Sequence, residues 1–118
     1  MDVTCLDRPK GKILTKDEAL RLYESKKIKL VVFDDQIVCG PGAANLVECF
    51  HRDYVPLGKI ATGGTHLRIS DGMLEISGYS SAYGSLPEEC LQNVQEALST
   101  FFGLPIKPPQ KLPKPRRR

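Results

Sequence analysis

The sequence predicts a single α+β domain, a mainly antiparallel or mixed sheet with helices packed on it, followed by a basic, disordered C-terminal tail. Three observations carry this expectation. Leu74 and Ile76 alternate with Glu75 and Ser77, and Ile28 to Phe33 is rich in β-branched residues, as in strands with a buried face. Cys90, Leu91, Val94, Ala97, Leu98 and Phe101 instead recur at helical spacing. From Pro105 onward, five prolines deny the chain a helix or an inner strand position.

Taken in order, Lys12-Ile13-Leu14 reads as a short first strand. Thr15-Lys16-Asp17-Glu18 has the form of a capping box, so a helix begins there, with Lys26 and Lys27 closing it. Asp34-Asp35 turns the strand Ile28 to Phe33 into a second, Gln36 to Cys39. After Gly40-Pro41-Gly42, the spacing of Ala43, Leu46, Val47 and Phe50 predicts a second helix, about Ala43 to Tyr54, ended by Pro56. Lys59 to Thr62 and Thr65 to Ser70 read as strands on either side of Gly63-Gly64. Asp71-Gly72 between alternating segments predicts a hairpin. Pro87-Glu88-Glu89 opens the last helix and Gly103 stops it. The domain is expected over residues 1–104 and the tail over 105–118.

Composition bounds the function. Apolar residues make up 41% of the chain and charged ones 26%, the balance of a soluble globular protein. No run approaches the roughly 18 apolar residues of a membrane span. Cys5, Cys39, Cys49 and Cys90 contain no Cys-x-x-Cys pair, which argues against a disulfide framework or zinc site and suits a reducing compartment. Six of the 17 basic residues and none of the 14 acidic ones follow Pro105, so an acidic body carries a basic arm. That arm reads as a solvated terminus, a nuclear-localisation patch, or a phosphate-binding contact for nucleic acid. A cytoplasmic, monomeric protein is expected, with nuclear entry through the arm as the variant.

The most informative stretch is Gly78-Tyr79-Ser80-Ser81-Ala82-Tyr83-Gly84. Glycines let the backbone bend sharply and approach a ligand, and successive N–H groups in such a bend can form an anion-binding nest. An ordinary strand-to-helix loop is the plainer alternative. These seven residues closely resemble the Gly-Tyr-Ser-x-Ala-Tyr-Gly segment of the Janus/ocnus, phosphohistidine phosphatase-like family. Ile28-Lys29-Leu30-Val31-Val32-Phe33, Gln36-Ile37-Val38-Cys39-Gly40 and Gly63-Gly64-Thr65-His66-Leu67 are similar to three further family segments in the same order.

The resemblance implies a mainly antiparallel sheet flanked by helices and hydrolysis of phosphohistidine on a protein substrate, with no metal or cofactor. It also implies phosphate contacts from Lys29, Ser80 and the Ala82 N–H, while the nest reading adds the Ser81 hydroxyl as a further donor. Phe50-His51-Arg52-Asp53 fits the local pattern around the family's catalytic histidine. His66 stands at the family's arginine position, where it is a second candidate base, with Arg68 two residues on supplying the cation. Cys39 stands where the family carries another arginine. The plainer readings are a half-exposed helical His51, a solvated Lys29 at a strand edge, and solvent-side polarity for His66 and Arg68. A phosphate-binding module without turnover, touching nucleic acid or a larger assembly through the tail, is the second function class.

Overall fold

A computed structural model describes residues 1–108. Its elements are β1 (Asp2–Cys5), α1 (Lys16–Tyr23), β2 (Ile28–Phe33), β3 (Gln36–Pro41), β4 (Ala43–Ala44), β5 (Val47–Glu48), a 3₁₀ turn (His51–Tyr54), β6 (Gly63–Ser70), β7 (Met73–Ser77) and α2 (Glu88–Phe102). They form one α+β domain around a five-stranded mixed sheet of order β1-β3-β2-β6-β7. β1 runs parallel to β3, and the other neighbours are antiparallel.

Alternation along the strands sorts side chains onto two faces. Ile28, Leu30 and Val32 of β2, with Ile37, Cys39, Leu67, Ile69 and Leu74, face α1 and α2 and pack on Tyr23, Val94, Leu98 and Phe102. On the opposite face, Val31, Phe33 and Val38 are covered by Cys49 and Tyr54 rather than by a helix. Lys29 belongs to this second face, beyond its apolar part.

The predicted caps are present. Thr15 Oγ1 accepts from the Glu18 N–H at 3.3 Å and Glu18 Oε1 accepts from the Thr15 N–H at 3.0 Å. Lys12, hydrogen-bonded to the same carboxylate, pulls Glu18 down to about 2. Tyr23 ends α1 buried, its hydroxyl donating to the Leu6 and Cys39 carbonyls at 2.7 and 3.1 Å. Gly103 stops α2 at φ 66°, its N–H donating to Ser99 O. Asp34-Asp35 and Asp71-Gly72 turn their hairpins with positive φ at all four residues.

Four expectations need correction. The helix over Ala43 to Tyr54 is instead the β4–β5 hairpin and the 3₁₀ turn. Asn45 and Leu46 take φ 51° and 64°, and Leu46 and Val47 are exposed, so the helical spacing had no core to face. Lys12-Ile13-Leu14 holds only a bridge from Ile13 to Leu6, and the first strand is Asp2–Cys5, made by pairing with β3. Lys59 to Thr62 form no strand, and Gly63-Gly64 lie within β6, paired with Val32 and Val31 of β2. Lys26 sits in the turn after α1, its N–H donating to Tyr23 O at 3.0 Å, and Lys27 in the connection to β2, so neither lies in the last turn of the helix.

The tail does not begin free at Pro105. Leu74 N–H donates to Pro105 O at 2.9 Å and Lys107 N–H to Leu74 O at 2.7 Å, laying the chain along the outer edge of β7. Ile106 packs against the core. The remaining expectations for the tail, nucleic-acid contact included, fall on residues 109–118, outside the described residues. No described helix is long and apolar enough to cross a membrane.

Candidate functional site

Register sets the floor of the site. Lys29 pairs with His66, and His66 with Ser77, so one row crosses β2, β6 and β7 on the face turned away from the helices. Lys27 precedes β2 by one residue and reaches the same cleft, since residues two apart in extended chain share a side. Lys27 O accepts the Gly42 N–H at 3.2 Å, anchoring the backbone there to the start of the β4–β5 hairpin.

Two glycines admit the walls. A Cβ on Gly64 would lie 2.8 Å from both His51 Cδ2 and Ser80 Cβ, so only bare backbone lets these side chains settle on β6. Gly78, at φ 86°, would place a Cβ 2.5 Å from His66 Nδ1, so that residue must be glycine on two counts. Gly40 gives the Tyr54 ring the same freedom, and the Tyr54 hydroxyl donates to Pro41 O at 2.6 Å. Asp53 Oδ2 accepts the Phe50 N–H at 2.7 Å, closing the turn that presents His51.

His51 is buried, with 4% of its surface exposed, not half-exposed on a helix. Its Nε2 lies 2.8 Å from Thr65 O. A carbonyl only accepts, so the neutral ring carries its proton on Nε2 and a lone pair on Nδ1. The His51 and His66 rings meet edge to face, centroids 5.0 Å apart. Burial lowers the His51 pKa, opposed by the Thr65 hydrogen bond and assisted by Lys29 and Lys27. Burial, then the charges of Lys27, His51 and Lys29, lower His66 to about 4 despite the Ser77 carbonyl. Both rings are therefore neutral near pH 7.

The glycine-bounded loop is closed on itself. Buried Ser80 accepts at Oγ from the Ala82 and Tyr83 N–H groups, at 3.2 and 3.1 Å. Its own N–H is shared between Gly64 O and Gly84 O, and Gly84 N–H donates to Ser80 O at 2.7 Å. Ser80 thus folds the loop and fastens it to β6, and the Ala82 N–H already has an acceptor.

The result is a cleft of about 420 Å³ lined by Lys27, Lys29, His51, His66, Ser77, Gly78, Tyr79 and Ser81, with no carboxylate in its wall. Of the expected residues, Lys29, His51, His66 and Ser81 are brought together. Ser80 is buried beneath Gly64, and Ala82 is exposed outside the cleft lining. Arg68 is exposed two residues beyond His66, opposite Glu75 and outside the cleft. Cys39 points into the helical core beside Cys5, whose hydrogen bond, with burial, pushes the Cys39 thiol up. Lys27 and Tyr79 were missed. The helix pattern assigns Lys27 to the end of α1, and its period-two spacing from Lys29 is the signal that points to the cleft instead. A larger cleft of about 700 Å³ between β1 and α2 is lined by Asp2, Asp35 and Glu96 and has neither lysine nor histidine to attract an anion.

Chemically, the smaller cleft combines two neutral imidazoles with two cations on an apolar-backed sheet. Such a set suits a negatively charged, tetrahedral group and a proton transfer or attack by nitrogen. No protein-family model, curated protein or solved structure significantly matches the chain.

Proposed function

We propose that the protein hydrolyses phosphohistidine on proteins, with His51 as base or nucleophile and His66 beside it. The observation that carries the reading is the juxtaposition of His51 and His66, 5.0 Å between ring centroids, in one cleft with Lys27 and Lys29. Lysine charge draws in the phosphoryl dianion and offsets the charge that develops on its oxygens. With Nε2–H held on Thr65 O, the Nδ1 lone pair of His51 either takes a proton from water or attacks phosphorus directly. In the second route the new P–N bond forms as the substrate P–N bond breaks, the departing imidazole takes a proton from water, and a further water then cleaves the P–N bond on His51, releasing phosphate and restoring the neutral ring. Both routes need a neutral imidazole, which burial supplies. The P–N bond is labile enough for this chemistry to run without a metal, and the reacting protein is the phosphorylated partner.

A phosphohistidine-bearing peptide incubated with the protein and a chelator is expected to release phosphate. His51→Ala should slow release by at least about 100-fold, the scale of a lost base or nucleophile. His66→Ala should slow it as well. Absence of release by the wild-type protein at millimolar peptide would sink the enzyme reading. One observation favours the second class, an anion-binding module without turnover: the Ala82 and Tyr83 amides are held by Ser80 Oγ, away from a transition state. Phosphate binding without hydrolysis would select that class.

A further inference from the structure

We propose that Lys27 and Lys29 together are the anion clamp of the cleft, and that the amides of Ser80, Ala82, Tyr83 and Gly84, already engaged within the loop and with β6, take no direct part in holding the anion. As a route to catalysis the clamp rests on the phosphatase reading; as a binding site for a tetrahedral dianion it stands separately.

Four observations converge. Both lysines line the cleft from one stretch of extended chain, two residues or roughly 7 Å apart, a spacing two long side chains easily close onto one phosphoryl group. Among the described residues, Lys12, Lys59 and Lys107 each have a carboxylate within 4.0 Å, whereas Lys27 and Lys29, like Lys10, Lys16 and Lys26, have none. No acidic side chain lines the cleft to neutralise them. Four donors of the glycine-bounded bend are already engaged, the Ala82 and Tyr83 N–H groups on Ser80 Oγ, the Ser80 N–H on Gly64 O and Gly84 O, and the Gly84 N–H on Ser80 O.

The backbone beneath the clamp is fixed at both lysines. Lys27 is tied by its carbonyl to Gly42, and Lys29 lies between β3 and β6 in the sheet. Ordering cost thus falls on the side chains alone. The depressed titration of His51 and His66 fits the same arrangement, because both lysines contribute to it. The loop's part is positional. Gly78 lies against His66, and Ser80 under Gly64 fastens the bend to the sheet.

The test uses the full chain and inorganic phosphate, followed by NMR at low ionic strength. Lys27→Met should weaken phosphate binding roughly five- to tenfold, and Lys27→Arg should restore it to within about twofold. Lys29→Met should weaken it similarly. The His66 ring should titrate at higher pH in Lys27→Met, while the Ala82 and Tyr83 amide signals should stay in place on adding phosphate to the wild type. Wild-type affinity in Lys27→Met, no phosphate binding by the wild type at millimolar concentration, or the largest amide shifts at Ala82 and Tyr83 would each overturn the clamp. Its failure is separable from that of the phosphatase. Phosphate binding that needs Lys27, without phosphohistidine hydrolysis, removes only the enzyme. Hydrolysis with KM untouched by Lys27→Met removes only the clamp.

Discussion

His51 and His66 show how burial decides chemistry one residue at a time. An imidazole in water titrates near 6.5. Pressed edge to face beside two lysines, His66 falls to about 4 and His51 also falls. The sign for stability follows from linkage. The unfolded chain takes up a proton near 6.5, while the folded one resists until lower pH, so acid favours unfolding. Stability should therefore decline as pH drops from about 6.5 toward 4, and the loss should be absent above that window. Glu18, held at about 2 by Lys12 against an ordinary value of 4.5, loses its contribution mainly between those two values, so a comparison of pH 7 with pH 5 lies above it. Urea midpoints at about pH 7 and pH 5 check this: the wild type should lose stability and His66→Gln should lose less. An equal loss in both proteins would remove His66 as the source.

At the scale of elements, the β4–β5 hairpin is where local pattern and tertiary structure part. Asn45 and Leu46 both adopt positive φ, the geometry of a two-residue turn matched to strand twist. Asparagine tolerates it, but leucine does not, at a cost of roughly 1–2 kcal/mol. Leu46 is fully exposed and recovers nothing through burial. Leu46→Gly should therefore stabilise the protein by about 1 kcal/mol, after allowing for the flexibility glycine adds to the unfolded chain. A lower urea midpoint in that variant would contradict the strained turn. The hairpin matters to the site, because Gly42 at its base bonds Lys27 O and Cys49 N–H at its end bonds Gly42 O. It delivers the chain to the turn that carries His51.

For the whole molecule, the sheet has two faces and two edges with different tasks. One face is filled by α1 and α2. The other is apolar at Val31, Phe33 and Val38, and beyond them it opens into the basic cleft. The β7 edge is covered at Leu74 by Pro105 to Lys107, with Lys107 Nζ 3.6 Å from Glu75. Deleting residues 105–118 should lower stability by about 2 kcal/mol, the sum of two backbone hydrogen bonds and the partial burial of Ile106. Chemical denaturation measures it, and an unchanged midpoint would mean that this segment contributes nothing to the domain. Charge has the same uneven layout. The body before Pro105 is acidic, yet the cleft gathers lysines and excludes carboxylates.

Elements governed by neighbours in the chain were legible beforehand. Thr15 to Glu18 specify a cap, Asp34-Asp35 and Asp71-Gly72 specify turns, and the apolar spacing from Cys90 to Phe101 specifies a helix, because hydrogen bonds and φ preferences act over a few residues. Lys29, His51, His66 and Ser81 could be named from the sequence, but their meeting could not. Only the register of β2, β6 and β7 aligns Lys29, His66 and Ser77, and only the fold of residues 42–54 lays His51 across Gly64. The role of Ser80 reversed for the same reason: its hydroxyl could face a ligand or its own loop, and packing against Gly64 chose the loop. Strand pairing and the close approach made possible by a missing Cβ join residues far apart in the chain, and local sequence pattern carries no trace of either.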